Sequence, residues 1–294
     1  MLTGCKLKGL FASLLLFGCC ASPLAAADKE QAADQEKLEI RGFAMTYDNL
    51  GPARKDAAYY PGERMCCRYD VYGCRTNDDG QAEMELFCQI TDSRGRVRTA
   101  FSNKVKEAAW NCANPFLRLH TVHVFGDDFP PGQYQLEIKV EDLQTKQEAS
   151  IKQRLTIKPV QLALVSLRCF RDAQRKISAP LAGLVEETLF FNLEVIGEDR
   201  TQGKVELAFL VELLDADGNN VLRGTRPFEM KSEDPAFIEN PRRHAVMNAT
   251  LPLRHPGRYT LRFSATDQLV GRTASLELPL QVSDPSEPGV VAAK

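Results

Sequence analysis

From Tyr134 to Val140 the chain alternates without a fault. Tyr134, Leu136, Ile138 and Val140 are apolar, while Gln133, Gln135, Glu137, Lys139 and Glu141 are polar. A period of two with one polar face predicts a strand that covers a core on one side only. Residues 256–267 repeat the pattern with Tyr259, Leu261, Phe263 and Ala265. The same reading predicts about seven strands in the first half, near 38–46, 64–72, 82–91, 95–103, 116–125, 132–142 and 149–158. Asp78-Asp79-Gly80, Ser93-Arg94-Gly95 and Asp217-Gly218-Asn219 supply hairpin turns. The only helix expected is a turn or two between Asn103 and Trp110.

The pattern occurs twice because the chain repeats itself. Pro131-Gly132-Gln133-Tyr134-Gln135-Leu136 returns 125 residues later as Pro256-Gly257-Arg258-Tyr259-Thr260-Leu261, and both runs continue to an aspartate, Asp142 and Asp267. Upstream, Gly80, Ala82, Met84, Leu86 and Cys88 match Gly203, Val205, Leu207, Phe209 and Val211, and Leu38 and Ile40 match Leu162 and Leu164. Matches in one order at nearly one spacing point to duplication. The expected layout is a leader over 1–27, a polar linker over 28–37, β-sandwich domains over 38–159 and 160–283, and a flexible tail over 284–294. Lys158-Pro159-Val160 is too short to be a flexible tether.

Many short antiparallel strands on a repeat of this size predict an all-β fold of two tandem sandwiches. At Pro-Gly-x-Tyr-x-Leu the chain resembles bacterial extracellular immunoglobulin-like and fibronectin type III-like modules. The resemblance implies that Tyr134 and Tyr259 bond back to nearby backbone and pin a corner. Leu136 and Leu261 stand where antibody domains have their second cysteine, so that inter-sheet disulfide is absent.

The N-terminus adds a compartment. Lys6 and Lys8 precede an apolar run from Leu10 to Cys20, and Ala25-Ala26-Ala27 offers a cleavage site, which together read as a secretory signal. Leu16-Phe17-Gly18-Cys19 offers a competing route, lipidation at Cys19. Either way the chain is expected to be exported, to the periplasm, cell surface or medium. No mature segment is long and apolar enough for a membrane-spanning helix. A net charge of −2 gives no basic field for nucleic acid.

Six cysteines lie beyond the leader, and an exported chain can oxidise them. Two disulfides are open, Cys67–Cys88 across neighbouring strands and Cys74–Cys112 between loops; the other reading makes Cys67, Cys88 and Cys169 small apolar core residues. No cofactor or metal is expected. Asp215-Ala216-Asp217-Gly218-Asn219 begins like a calcium loop but has Arg226 at its twelfth position, and it reads better as a turn. His120 and His123 point to opposite faces of a strand, while His244 and His255 have no nucleophilic or acidic companion in sequence.

Binding residues are sought in long loops where the copies diverge. Candidates are Tyr59 and Tyr60 in the connection 47–62, Trp110 in 103–115, and Phe237 in 230–242. The expected role is non-catalytic: protein binding, or a spacer at the cell envelope. A carbohydrate-binding accessory protein using the aromatic loops, and a thiol or metal enzyme, are the alternatives.

Overall fold

The computed structural model describes residues 37–109, 116–126, 129–222, 224–240 and 243–286. Its first half contains β1 (Glu39–Thr46), β2 (Ala58–Tyr59), β3 (Arg64–Tyr72), β4 (Gln81–Asp92), β5 (Val97–Ala108), β6 (Phe116–Val124), β7 (Gly132–Asp142) and β8 (Glu148–Ile157). The second contains β9 (Ala163–Phe170), β10 (Ala182–Leu184), β11 (Thr188–Ile196), β12 (Val205–Leu214), β13 (Phe228–Ser232), α1 (Pro235–Ile238), β14 (Ala245–Pro252), β15 (Gly257–Asp267) and β16 (Arg272–Ser283).

The fold is all-β, and the same topology appears twice. A three-stranded sheet β1-β3-β6 and a five-stranded sheet β2-β8-β7-β4-β5 form the first half; β9-β11-β14 and β10-β16-β15-β12-β13 form the second. Each position in one order corresponds to the strand eight later in the other. Apolar positions from both sheets of a half meet in one core. Met65, Cys67, Tyr69, Met84, Ile90 and Leu136 are buried in the first, and Phe191, Leu193, Phe209, Leu261 and Phe263 in the second. Burying residues this large stabilises by roughly 1.5–3 kcal/mol for each side chain.

Two features depart from the strand reading. The short β2 and β10, which pair parallel with β8 and β16, carry no alternation long enough to see. The helical turn expected between Asn103 and Trp110 is instead strand: β5 continues to Ala108 in unbroken register with β4, from Ala100↔Gln89 to Ala108↔Gln81. The hydrogen-bonded ladder along β4 overrides a weak local helical preference.

The repeated motifs have physical explanations. Tyr134 donates its hydroxyl to the Pro130 carbonyl at 2.7 Å, and Tyr259 donates to the His255 carbonyl at 3.2 Å. The aspartate closing each repeat is buried and accepts backbone N–H groups. Asp142 takes those of Arg75, Gln144 and Thr145, and Asp267 those of Asp199 and Leu269. Charge-assisted bonds of this kind offset the cost of burying a carboxylate. Asp92 and Asp215 each accept the N–H groups two and four residues on, which closes matching hairpin turns.

Candidate binding cleft

The connection 47–62 ties itself down through a buried ion pair. Arg54 donates to Glu63 at 2.6 Å and to the Ala58 carbonyl at 2.8 Å, and its guanidinium lies over the rings of Tyr47 and Tyr59. Glu63 also accepts the Tyr60 N–H. Burial pushes the Glu63 carboxyl above its ordinary value, against the pull of the Arg54 guanidinium beside it.

That connection delivers the start of β3 to the second half. The Arg64 N–H donates to the Ser166 hydroxyl at 3.2 Å, and Gln161 donates to the Tyr60 hydroxyl at 2.8 Å. Tyr60 packs against Ala163, Val165 and Ile196, and Tyr47 packs against the second core. The link between β8 and β9 therefore carries contacts on both sides of it.

A cleft of about 440 Å³ opens at this junction. Arg64, Val124 and Phe125 line it from the first half, and Ser166, Arg168, Glu194 and His244 from the second. Arg64 pairs with Asp48 at 2.7 Å. Arg168 donates to the side-chain Oδ1 of Asn192 at 2.6 Å, and the Asn192 side-chain Nδ2 donates on to Oδ1 of Asn248 at 3.1 Å. Asn192 is only 9% exposed, so this relay fixes the guanidinium. Among the described residues no carboxylate lies within ion-pairing distance of Arg168, and no cation lies within that distance of Glu194.

The two copies differ at this place. On the outer face of β1-β3-β6, Asp70 stands opposite Arg118 in register, and Arg118 binds it through Nε at 2.9 Å and Nη2 at 3.1 Å. At the matching place in β9-β11-β14, Glu194 stands opposite Val246. The acid is kept and its cross-strand partner is replaced by a valine that is 44% exposed.

The residues singled out in sequence lie elsewhere or serve the structure. Tyr59 is 0% exposed and packs on Phe125 with ring centres 5.2 Å apart, so it is a core residue and is closed to a ligand. Tyr60 is spent on the junction. Phe237 is half-buried beneath the Arg200 guanidinium, 4.8 Å from the ring centre, and packs on the second core. Trp110, Cys112 and Cys19 lie outside the described residues.

The Cys67–Cys88 bond is not formed: both are free thiols. β3 and β4 are also not neighbours, because they belong to opposite sheets. Cys67 donates to the Thr121 carbonyl at 3.6 Å, and burial pushes its pKa up strongly. Burial pushes Cys88 and Cys169 up to about 12. Cys74 is a half-buried free thiol whose expected partner, Cys112, is not described.

No family model and no curated protein matches the chain. Among solved structures it is similar to red sea bream transglutaminase, at 8% identity and a TM-score of 0.27, over 82% of this chain and 31% of that one. It is similar also to the C-terminal domain of the AgI/II polypeptide BspA of Streptococcus agalactiae. There the identity is 10% and the TM-score 0.26, over 83% of this chain and 99% of that one. The alkylpurine DNA glycosylase AlkC of Pseudomonas fluorescens aligns at 13% identity and 0.26, over 42% of this chain and 31% of its own. Likeness at these scores carries no argument about function.

Proposed function

We propose that this is an exported, non-catalytic binding protein of two immunoglobulin-like sandwiches, and that it holds a protein partner in the cleft at their junction. One observation carries the reading: a fixed arginine and a glutamate, neither ion-paired, share a cleft that both halves build. Charged groups left without partners in a recess cost solvation unless something complementary completes them. The exposed valines beside them suit a polypeptide surface. The buried thiols, pushed far from ionisation, support a role without a cysteine nucleophile. The tyrosine hydroxyl bonds at Pro130 and His255 support the immunoglobulin-like assignment.

The test is capture from a native envelope fraction on the immobilised exported chain, beside Val124→Arg. Val124 is 56% exposed, so arginine there fills the cleft without disturbing a core. Saturable capture of a protein by the native chain, lost in Val124→Arg, supports the reading. Retention of polysaccharide with no protein moves the assignment to carbohydrate binding, and an empty column leaves a spacer.

A further inference from the structure

We infer that the cleft recognises an extended polypeptide segment carrying an acidic and a basic side chain two residues apart, the acid on Arg168 and the base on Glu194. The inference rests on the protein-binding reading above and deepens it.

On the outer face of the second three-stranded sheet, Arg168, Asn192 and Asn248 lie in one row across β9, β11 and β14. Glu194 and Val246 lie in the next row, two residues along. Successive same-face rows on a strand are about 6.5–7 Å apart. An extended segment presents same-face side chains at that same spacing, so an acid and a base two residues apart match the two rows in one direction of travel.

Each charge is available and held. The guanidinium of Arg168 spends one donor on Asn192, and a guanidinium has five. The remaining ones suit a carboxylate, which the planar fork binds in two places at once. Glu194 is half-buried beside Ser166 and His244 in the lining, and it accepts an ammonium or guanidinium in turn. Arg168 and Glu194 make no ion pair with each other among the described contacts, because Asn192 holds the guanidinium one row away.

The backbone is also set up for recognition. Ser166, between the two rows, has a φ of 53° and sits at the β-bulge where β9 slips against β11. Bulges re-aim neighbouring side chains. The free edge of β14, with Val246 and Asn248 exposed beside the charged rows, leaves the segment an open side to lie along.

The experiment uses the full exported chain and three fluorescent peptides, acetyl-Thr-Glu-Val-Lys-Thr-amide, its Gln-Val-Gln counterpart and a Lys-Val-Lys form. The native chain is expected to bind the first at least tenfold more tightly than the Gln-Val-Gln peptide. Arg168→Gln and Glu194→Gln should each lose most of that preference. The charge-converted chain, Arg168→Glu, should prefer the Lys-Val-Lys peptide whichever way it lies, a gain that misfolding cannot mimic. No preference in the native chain, or a preference that survives in both single variants, overturns the inference. The two readings fail separately. A natural partner captured equally by native chain and Arg168→Gln/Glu194→Gln overturns the charge pairing while protein binding stands, whereas absence of any captured protein fails the binding reading itself.

Discussion

Ser166 of the second half accepts the backbone N–H of Arg64 from the first at 3.2 Å, and it does so from a backbone with φ of 53°. The repeat places Gly42 at the matching position, where φ is 60° and β1 slips against β3 in the same way. Glycine occupies positive φ at no steric cost, whereas serine there costs about 1–2 kcal/mol. The second copy holds that strain where the first does not, and the hydroxyl it gains fastens the two halves together.

Replacing Ser166 separates the two effects. Ser166→Ala keeps the strain and loses the bond, so it should destabilise by about 1 kcal/mol, the net value of a typical hydrogen bond. Ser166→Gly loses the bond and relieves the strain, so its urea midpoint should stay near that of the native chain. Equal losses in the two variants would show that backbone strain is not part of the balance.

Arg54 and Glu63 should behave as a unit. Removing one partner of a buried ion pair costs about 3–5 kcal/mol, since the other charge is left uncompensated, and Arg54→Met is expected to fall in that range at neutral pH. Burial raises the Glu63 pKa in the folded chain, so the folded state takes up a proton more readily than the unfolded one. Stability from this group is therefore fully present below the ordinary carboxylate value and is lost as pH rises through the raised folded value. Without Arg54 the folded value rises further. Arg54→Met should accordingly regain stability between pH 7 and pH 5 relative to the native chain, as followed by urea denaturation at each pH.

The thiols give a chemical check on the core. Cys67, Cys88 and Cys169 are buried with raised pKa values, so a disulfide reagent such as DTNB should reach them only in urea. Half-buried Cys74 should react first among the described thiols in the native chain. Peptide mapping without reductant should recover Cys67 and Cys88 as separate thiol peptides; a linked peptide would contradict the free state of both thiols in the core.

The sandwich strands were legible because alternation with one wet face fits a half-covered strand and little else, and the repeat vouched for each strand with a second copy. Sheet membership was not legible: alternation says that Cys67 and Cys88 point inward, not that they do so from opposite sheets. Aromatic loop residues misled for a related reason. Tyr59 looks like a loop residue because β2 is two residues long, yet that bridge to β8 carries its ring into the core. The cleft was the least legible part. Glu194 gains meaning only beside Asp70 and its partner Arg118, and the connections preceding β6 and β14 differ in length, so the valine replacing that partner falls out of the sequence match. Arg168 and Ser166 belong to a strand whose outer face meets the other half of the chain, a relation that no local pattern carries.

Gly62 and His244 make the last test, because they report on the junction itself. Gly62 has φ of 86°, and a Cβ built there would lie 2.8 Å from Nε2 of His244. Gly62→Ala thus incurs two costs, about 1–2 kcal/mol of backbone strain and displacement of an imidazole that lines the cleft. The strain is local to the first half, but the displacement crosses to the second. His244→Ala removes the obstacle, so in the double variant the alanine at Gly62 should cost only its strain. The double-mutant cycle, read from urea denaturation, is expected to show a coupling of about 0.5–1 kcal/mol, within the range for residues in contact. Additive losses would mean that the imidazole swings aside freely and that the two halves do not meet as closely at Gly62 as the 2.8 Å approach requires.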